Sequence, residues 1–295
     1  MNKREGDINP EVRHRLTEEI EKSPAYRLAF QDLDFLSEDV LRAERLGLEL
    51  NKPELYMRRR KVRSTIAVFG SARTVSPEDA EAELAAARQA LDTAPGDSDA
   101  QTRMKRAERD MANSKYYEVA RQFAQIVSND FVHDHQADLV VITGGGPGIM
   151  EAANRGAFDT GAPTAGFNIT IPQEQSPNPF ITPDLCFQFH YFAIRKMHFL
   201  LRAMALVAFP GGYGTMDELF EALTLVQTEK MQRIPIVLVG RDFWNTAVNF
   251  KFLVEQGVIG AEDAELFSVV DTAEEAVKYI YGFYGRSIPE PDLFY

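Results

Sequence analysis

The 295-residue chain has a formal net charge of −12 and 45% hydrophobic residues, long for one domain and with ample apolar material for a core. The acidic balance disfavours non-specific binding to nucleic acid through many Lys and Arg contacts, so any anionic ligand has to be held locally. A single cysteine, Cys186, permits no internal disulfide, and no apolar leader or membrane-length run is present; the expectation is a cytoplasmic protein with no membrane or nucleic-acid partner.

Residues 1–63 differ in composition from the rest and read as an N-terminal helical extension, with Ser37 as N-cap of a helix that buries Val40, Leu41 and Leu48. The basic run Arg58, Arg59, Arg60, Lys61 and Arg63 reads as a solvated linker. From residue 64 to 295 the pattern alternates strand and helix. Strands are predicted at STIAVFG, DLVVIT, PTAGFNI, LCFQFHYF, ALVAFP and PIVLVG, with LFSVVD as a further candidate. Helical stretches between most of them predict an α/β fold, a doubly wound parallel sheet with helices on both faces. Cys186, inside LCFQFHYF, is read as a strand residue rather than a nucleophile. After the first strand, about 77–112 is Ala-rich, charged and broken at APGDSD, which predicts an exposed helical hairpin for assembly or decoration.

Two glycine loops carry the chemistry. TGGGPGIMEAANRGA follows a strand and opens a helix, placing Gly144, Gly145, Gly146 and Gly148 where doubly wound sheets bind ligands. Backbone amides there, backed by a helix N-terminus, form an anion site. The spacing fits neither the dinucleotide fingerprint nor a P-loop, and a tight turn without a ligand is the bland alternative. FPGGYGTMDELFEAL places Gly211, Gly212, Gly214 and Thr215 in a second such loop, and FGSAR brings Gly70, Ser71 and Arg73 to the same sheet edge. Thr215 to Glu218 fits a capping box, and spacing by itself favours that role for Glu218. Arg195 and Lys196 lie near the start of a helix, where cations are unfavourable unless an anion offsets them; solvated charges are the alternative. His198 is read as packing.

Together, GGGPGIMEAANRGA and PGGYGTMDE resemble the LOG family, the cytokinin riboside 5′-monophosphate phosphoribohydrolases and related nucleotide nucleosidases, from about Thr65 to Ile280. The resemblance implies a Rossmann-like fold, a homodimer or larger homo-oligomer, and hydrolysis of a nucleoside 5′-monophosphate to free base and ribose 5-phosphate without a cofactor or metal. It implies Arg195 and Glu218 as the catalytic pair. Gly70, Ser71, Arg73, Gly145, Gly146, Gly148, Met150, Lys196, Gly211, Gly212, Gly214 and Thr215 would then bind substrate and phosphate. The N-terminal extension and the insertion depart from short members and make AMP-like purine nucleotides as suitable as cytokinin nucleotides. The alternative is a non-catalytic carrier of a nucleotide or molybdenum cofactor.

Overall fold

The computed structural model describes residues 9–133, 139–172 and 176–285. The chain divides into two compact units, Met1–Glu49 and Leu50–Tyr295.

The first unit opens with α1 (Pro10–Glu21), where Asn9 Oδ1 accepts the Glu11 N–H and Pro10 occupies the first turn. Asp32 Oδ1 accepts the Phe35 N–H and starts α2 (Leu33–Ser37). The expected cap at Ser37 is corrected: Ser37 ends α2, Glu38 is extended, and Asp39–Leu41 forms a 3-10 turn. That break puts Val40 out of phase with the helix that follows, α3 (Arg42–Arg59), and leaves Val40 and Leu48 exposed rather than buried.

The second unit contains a seven-stranded, all-parallel sheet in the order β4-β3-β2-β1-β5-β6-β7. Its strands are β1 (Ser64–Phe69), β2 (Leu139–Thr143), β3 (Thr164–Ile169), β4 (Cys186–Phe189), β5 (Ala203–Ala208), β6 (Ile236–Val239) and β7 (Phe267–Val270). The central strands are buried on both faces, so they read as continuous apolar runs rather than alternating ones. Along β1, Ala67 and Phe69 enter one core with Met57, Phe199 and Leu219, while Ile66 and Val68 enter the opposite core with Phe123, Ile149 and Ile280.

The predicted hairpin exists but does not end where expected. It comprises α4 (Pro77–Thr93) and the 36-residue α5 (Ser98–His133), which runs without a break through YYEVARQFAQIV. No glycine or proline interrupts that sequence, so nothing stops the helix. The alanines are partly its inner seam: Ala80, Ala87, Ala100 and Ala107 are buried, and Arg103 holds Glu83 through two hydrogen bonds of 2.7 and 2.9 Å.

The remaining helices are α6 (Ile149–Asp159), α7 (Phe192–Leu201), α8 (Tyr213–Gln227), α9 (Arg241–Ala247), α10 (Phe250–Glu255) and α11 (Ala273–Tyr284). The chain walks outward from β1 to β4, then returns through α7 to pair β5 on the other side of β1. Strand order therefore reverses between β1 and β5, and the crevice outside their C-terminal ends is the place where such sheets bind ligands.

Candidate active site

A cleft of about 750 Å³ opens at this reversal point. Its lining joins the β1 loop (Gly70, Ser71, Arg73), the first turns of α6 and α8, Arg195 of α7, and Phe243 and Ala247 of α9. The loops are tied together by backbone bonds. Ser71 N–H donates to Pro210 O (3.0 Å), and Ile149 N–H donates to Ser71 O (3.1 Å), so the β1 loop supports the turn before α8 and caps α6.

The two glycine loops do different work. In the first, Gly145 N–H is already spent on Thr143 Oγ1 (2.9 Å), and Asn178 takes the carbonyls of Gly145 (2.9 Å) and Gly146 (3.0 Å). Asn178 also donates to Asn154 Oδ1 (2.9 Å) inside a buried set with Thr143 and Thr164. Glycine is required for close approach: Gly148, at φ +74°, packs against the Ser71 carbonyl, and Gly145, also at φ +74°, lies against Asn168. Gly145, Gly146 and Gly148 thus shape the loop before α6 and do not line the cleft, and Gly145 has no amide left for an anion.

The second loop has amides to offer. The first intrahelical bond of α8 runs from Met216 N–H to Gly212 O, and the N-cap Gly212 supplies no side-chain cap. The N–H groups of Gly212, Tyr213, Gly214 and Thr215 therefore precede the helical ladder and face the cleft end of a 15-residue helix, an arrangement suited to an anion. The same geometry settles the capping question. Because α8 begins at Tyr213, Thr215 lies inside the first turn rather than at the cap, and Glu218 does not fold back onto it.

Glu218 instead turns into the protein. Its Oε1 lies 3.7 Å from Arg195 Nη1, and burial, opposed by the Arg195 charge, pushes its carboxyl up to about 7. Arg195 is 8% exposed. Its Nε donates to the Phe167 carbonyl (2.7 Å), and its guanidinium lies 5.2 Å from the Phe199 ring centre. The burial pushes its pKa down while Glu218 pulls it up. A guanidinium held by a carbonyl and packed on an aromatic ring is fixed at the cleft beside Glu218.

Gly144 makes room for that side chain: an added Cβ would come within 2.7 Å of both Arg195 Nη2 and Met150 Sδ. Both atoms are ends of flexible side chains, and Gly144 is not held at positive φ. Gly144→Ala is therefore expected to fold with little loss of melting temperature yet to displace Arg195. An assay in which Gly144→Ala keeps wild-type turnover would contradict this packing argument.

Among the other sequence-derived candidates, Gly70, Ser71, Arg73, Met150, Gly211, Gly212, Gly214 and Thr215 meet at the cleft. Lys196 does not line it; its ammonium pairs with Asp217 (3.2 Å) and Glu221 (3.1 Å). Sequence reasoning missed Phe167, which acts through its carbonyl, and Phe243 and Ala247, which sit in RDFWNTA with no motif to flag them.

Fold and site together define a doubly wound α/β protein whose switch-point cleft combines orphan helix amides with a buried arginine–glutamate pair. Residues 150–280 match the protein-family model described as "Possible lysine decarboxylase". The chain is 30% identical over 144 residues to the cytokinin riboside 5′-monophosphate phosphoribohydrolase LOG3 of Arabidopsis thaliana, covering 47% of this chain and 65% of that protein. It is 30% identical over 146 residues to the probable cytokinin riboside 5′-monophosphate phosphoribohydrolase LOG4 of Oryza sativa subsp. japonica, covering 48% and 61%. A 73-residue stretch is 40% identical to the bifunctional cytokinin biosynthesis protein of Fusarium pseudograminearum (strain CS3096), 24% of this chain and 15% of that protein. The chain thus spans less than two thirds of the length of these three relatives. The resemblance to the LOG family is borne out by these matches. Among solved structures, the molybdenum cofactor carrier protein of Chlamydomonas reinhardtii aligns with a TM-score of 0.43 at 17% identity, covering 76% of this chain and 99% of that one. At that identity the likeness bears on neither ligand nor activity.

Proposed function

We propose that this chain hydrolyses the N-glycosidic bond of nucleoside 5′-monophosphates, AMP-like or cytokinin-type, releasing the base and ribose 5-phosphate. The observation that carries the reading is the Glu218 carboxyl, buried 3.7 Å from Arg195 and one helical turn beyond the orphan amides of α8. A phosphate at those amides, with Arg73 and Ser71 on the facing wall, would bring the ribose over Glu218. Glycosidic cleavage passes through an oxocarbenium-like transition state, and a carboxylate beside the anomeric carbon stabilises the developing positive charge and orients the attacking water. Arg195 favours the ionised form of that carboxyl against the effect of burial, holds it in place and faces the departing base. Met150, Met216, Phe243 and Ala247 give the cleft an apolar wall suited to a planar base.

The decarboxylase description fits the residues less well. A Schiff-base lysine needs a lowered pKa, whereas at Lys196 the pull of burial is outweighed by Glu221 and Asp217, which hold it above the ordinary value.

If the phosphate anchors the substrate, its binding energy is used to orient the ribose, and AMP should be cleaved far faster than adenosine, by a factor on the order of 100 or more in kcat/KM. Comparable rates on the two substrates would remove the phosphate site from this account.

A further inference from the structure

One buried charge cluster takes no part in the chemistry above. Glu54 of α3, His198 of α7 and Arg202, the C-cap of α7, are 6%, 4% and 3% exposed. Arg202 grips Glu54 with both terminal nitrogens, Nη2 reaching Oε2 at 2.6 Å and Nη1 reaching Oε1, while His198 Nδ1 lies 3.6 Å from Oε1. Burial would raise the Glu54 carboxyl, but hydrogen bonds from His198 and Arg202 hold it down at about 2. The cluster is poorly designed for stability alone. Removing three ionisable groups from water is costly, and His198 Nε2 and Arg202 Nε are buried without a hydrogen-bond partner.

What the cluster does achieve is geometric. The helix α7 is only 10 residues long, and Arg195 lies one turn before His198 on it. A single carboxylate from another helix holds α7 at His198 and again at Arg202, two points one turn apart, and so fixes the rotation of the helix about its axis. The direction of Arg195 follows from that rotation. Glu54 lies outside the segment 150–280 that matches the family model.

We propose that Glu54 is a positioning residue: by gripping His198 and Arg202 it sets the rotation of α7 and so holds the Arg195 guanidinium against Glu218. The consequence for catalysis rests on the function proposed above, but the geometric coupling does not. Glu218 reports on it directly, because the charged groups acting on it are Arg195 and Lys196 from α7 and Asp217 and Glu221 from its own helix, with Arg73 elsewhere in the cleft lining. The two cations on α7 favour its ionised form, so withdrawing them raises its pKa.

The test is a carbon-13 NMR titration of the side-chain carboxyls, with the Glu218 signal assigned by its loss in Glu218→Gln. In Glu54→Gln that titration should move upward by roughly one unit, and the pH at half-maximal kcat should move with it while KM for AMP stays close to wild type. Should Glu54→Gln fail to fold, Glu54→Met combined with Arg202→Met removes both charges together and serves with the same readout. A folded variant in which Glu218 titrates as in the wild type overturns the proposal, whatever its turnover. If the wild-type protein cleaves no nucleotide, the functional reading fails and the coupling is still decided by the titration.

Discussion

Glu218→Gln is expected to lower turnover of AMP by a factor on the order of 100 or more with little change in AMP affinity, because glutamine keeps the shape and loses the charge. The buried position also predicts a gain in stability. The carboxyl titrates at about 7 in the folded chain against 4.5 as the reference value. Between those values the native state holds a proton that the unfolded chain has released, so stability falls as pH rises through the window. Glutamine removes that penalty. The variant should therefore be more stable than wild type at pH 8, on the order of 3 kcal/mol, and about equal to it at pH 4. Turnover of the wild type should rise with pH through about 7 as the carboxylate forms. Urea denaturation at the two pH values and a pH–rate profile check all three expectations; wild-type turnover in the variant would remove Glu218 from the chemistry.

Arg195→Ala should be at least as damaging to turnover, by a factor on the order of 100 or more, and for two reasons. It takes away the charge that favours ionised Glu218, and it leaves the Phe167 carbonyl without the donor now 2.7 Å away. Arg195→Lys should not rescue it, since an ammonium cannot occupy the planar position that faces both Phe167 O and Glu218. Steady-state kinetics together with AMP binding by calorimetry separate loss of chemistry from loss of binding. Substantial turnover in Arg195→Lys would show that a point charge suffices and that the clamped geometry is unnecessary.

The fold was largely legible because strands buried on both faces leave uninterrupted β-branched and apolar runs, and each run expected here, including LFSVVD, is a strand of the sheet. Breaks were harder to place. APGDSD marks a turn correctly, but nothing in the residues after it distinguishes an inserted hairpin from the start of the long α5. At Ser37 the apolar spacing looked helical across a break that Glu38 imposes through its backbone conformation.

The site was legible only where a motif spans it. Glycine spacing located both loops but could not show that Thr143 Oγ1 takes up the Gly145 amide or that Asn178, distant in sequence, takes up the Gly145 and Gly146 carbonyls. Thr215 and Glu218 have the spacing of a capping box, and only the actual helix start at Tyr213 removes that role. Glu54 carries no local signal at all: a glutamate in a charged helix reads as solvated until its partners His198 and Arg202 are seen beside it.

On the proposed reading, the cleft breaks a glycosidic bond rather than merely holding a nucleotide. Incubating the purified protein with AMP and resolving the products by chromatography and mass spectrometry tests it most directly. The expected products are adenine and ribose 5-phosphate in equal amounts, formed by the wild type and not by Glu218→Gln or Arg195→Ala. AMP that binds and is recovered intact, with no free base from other nucleoside monophosphates either, would contradict hydrolysis and favour a carrier.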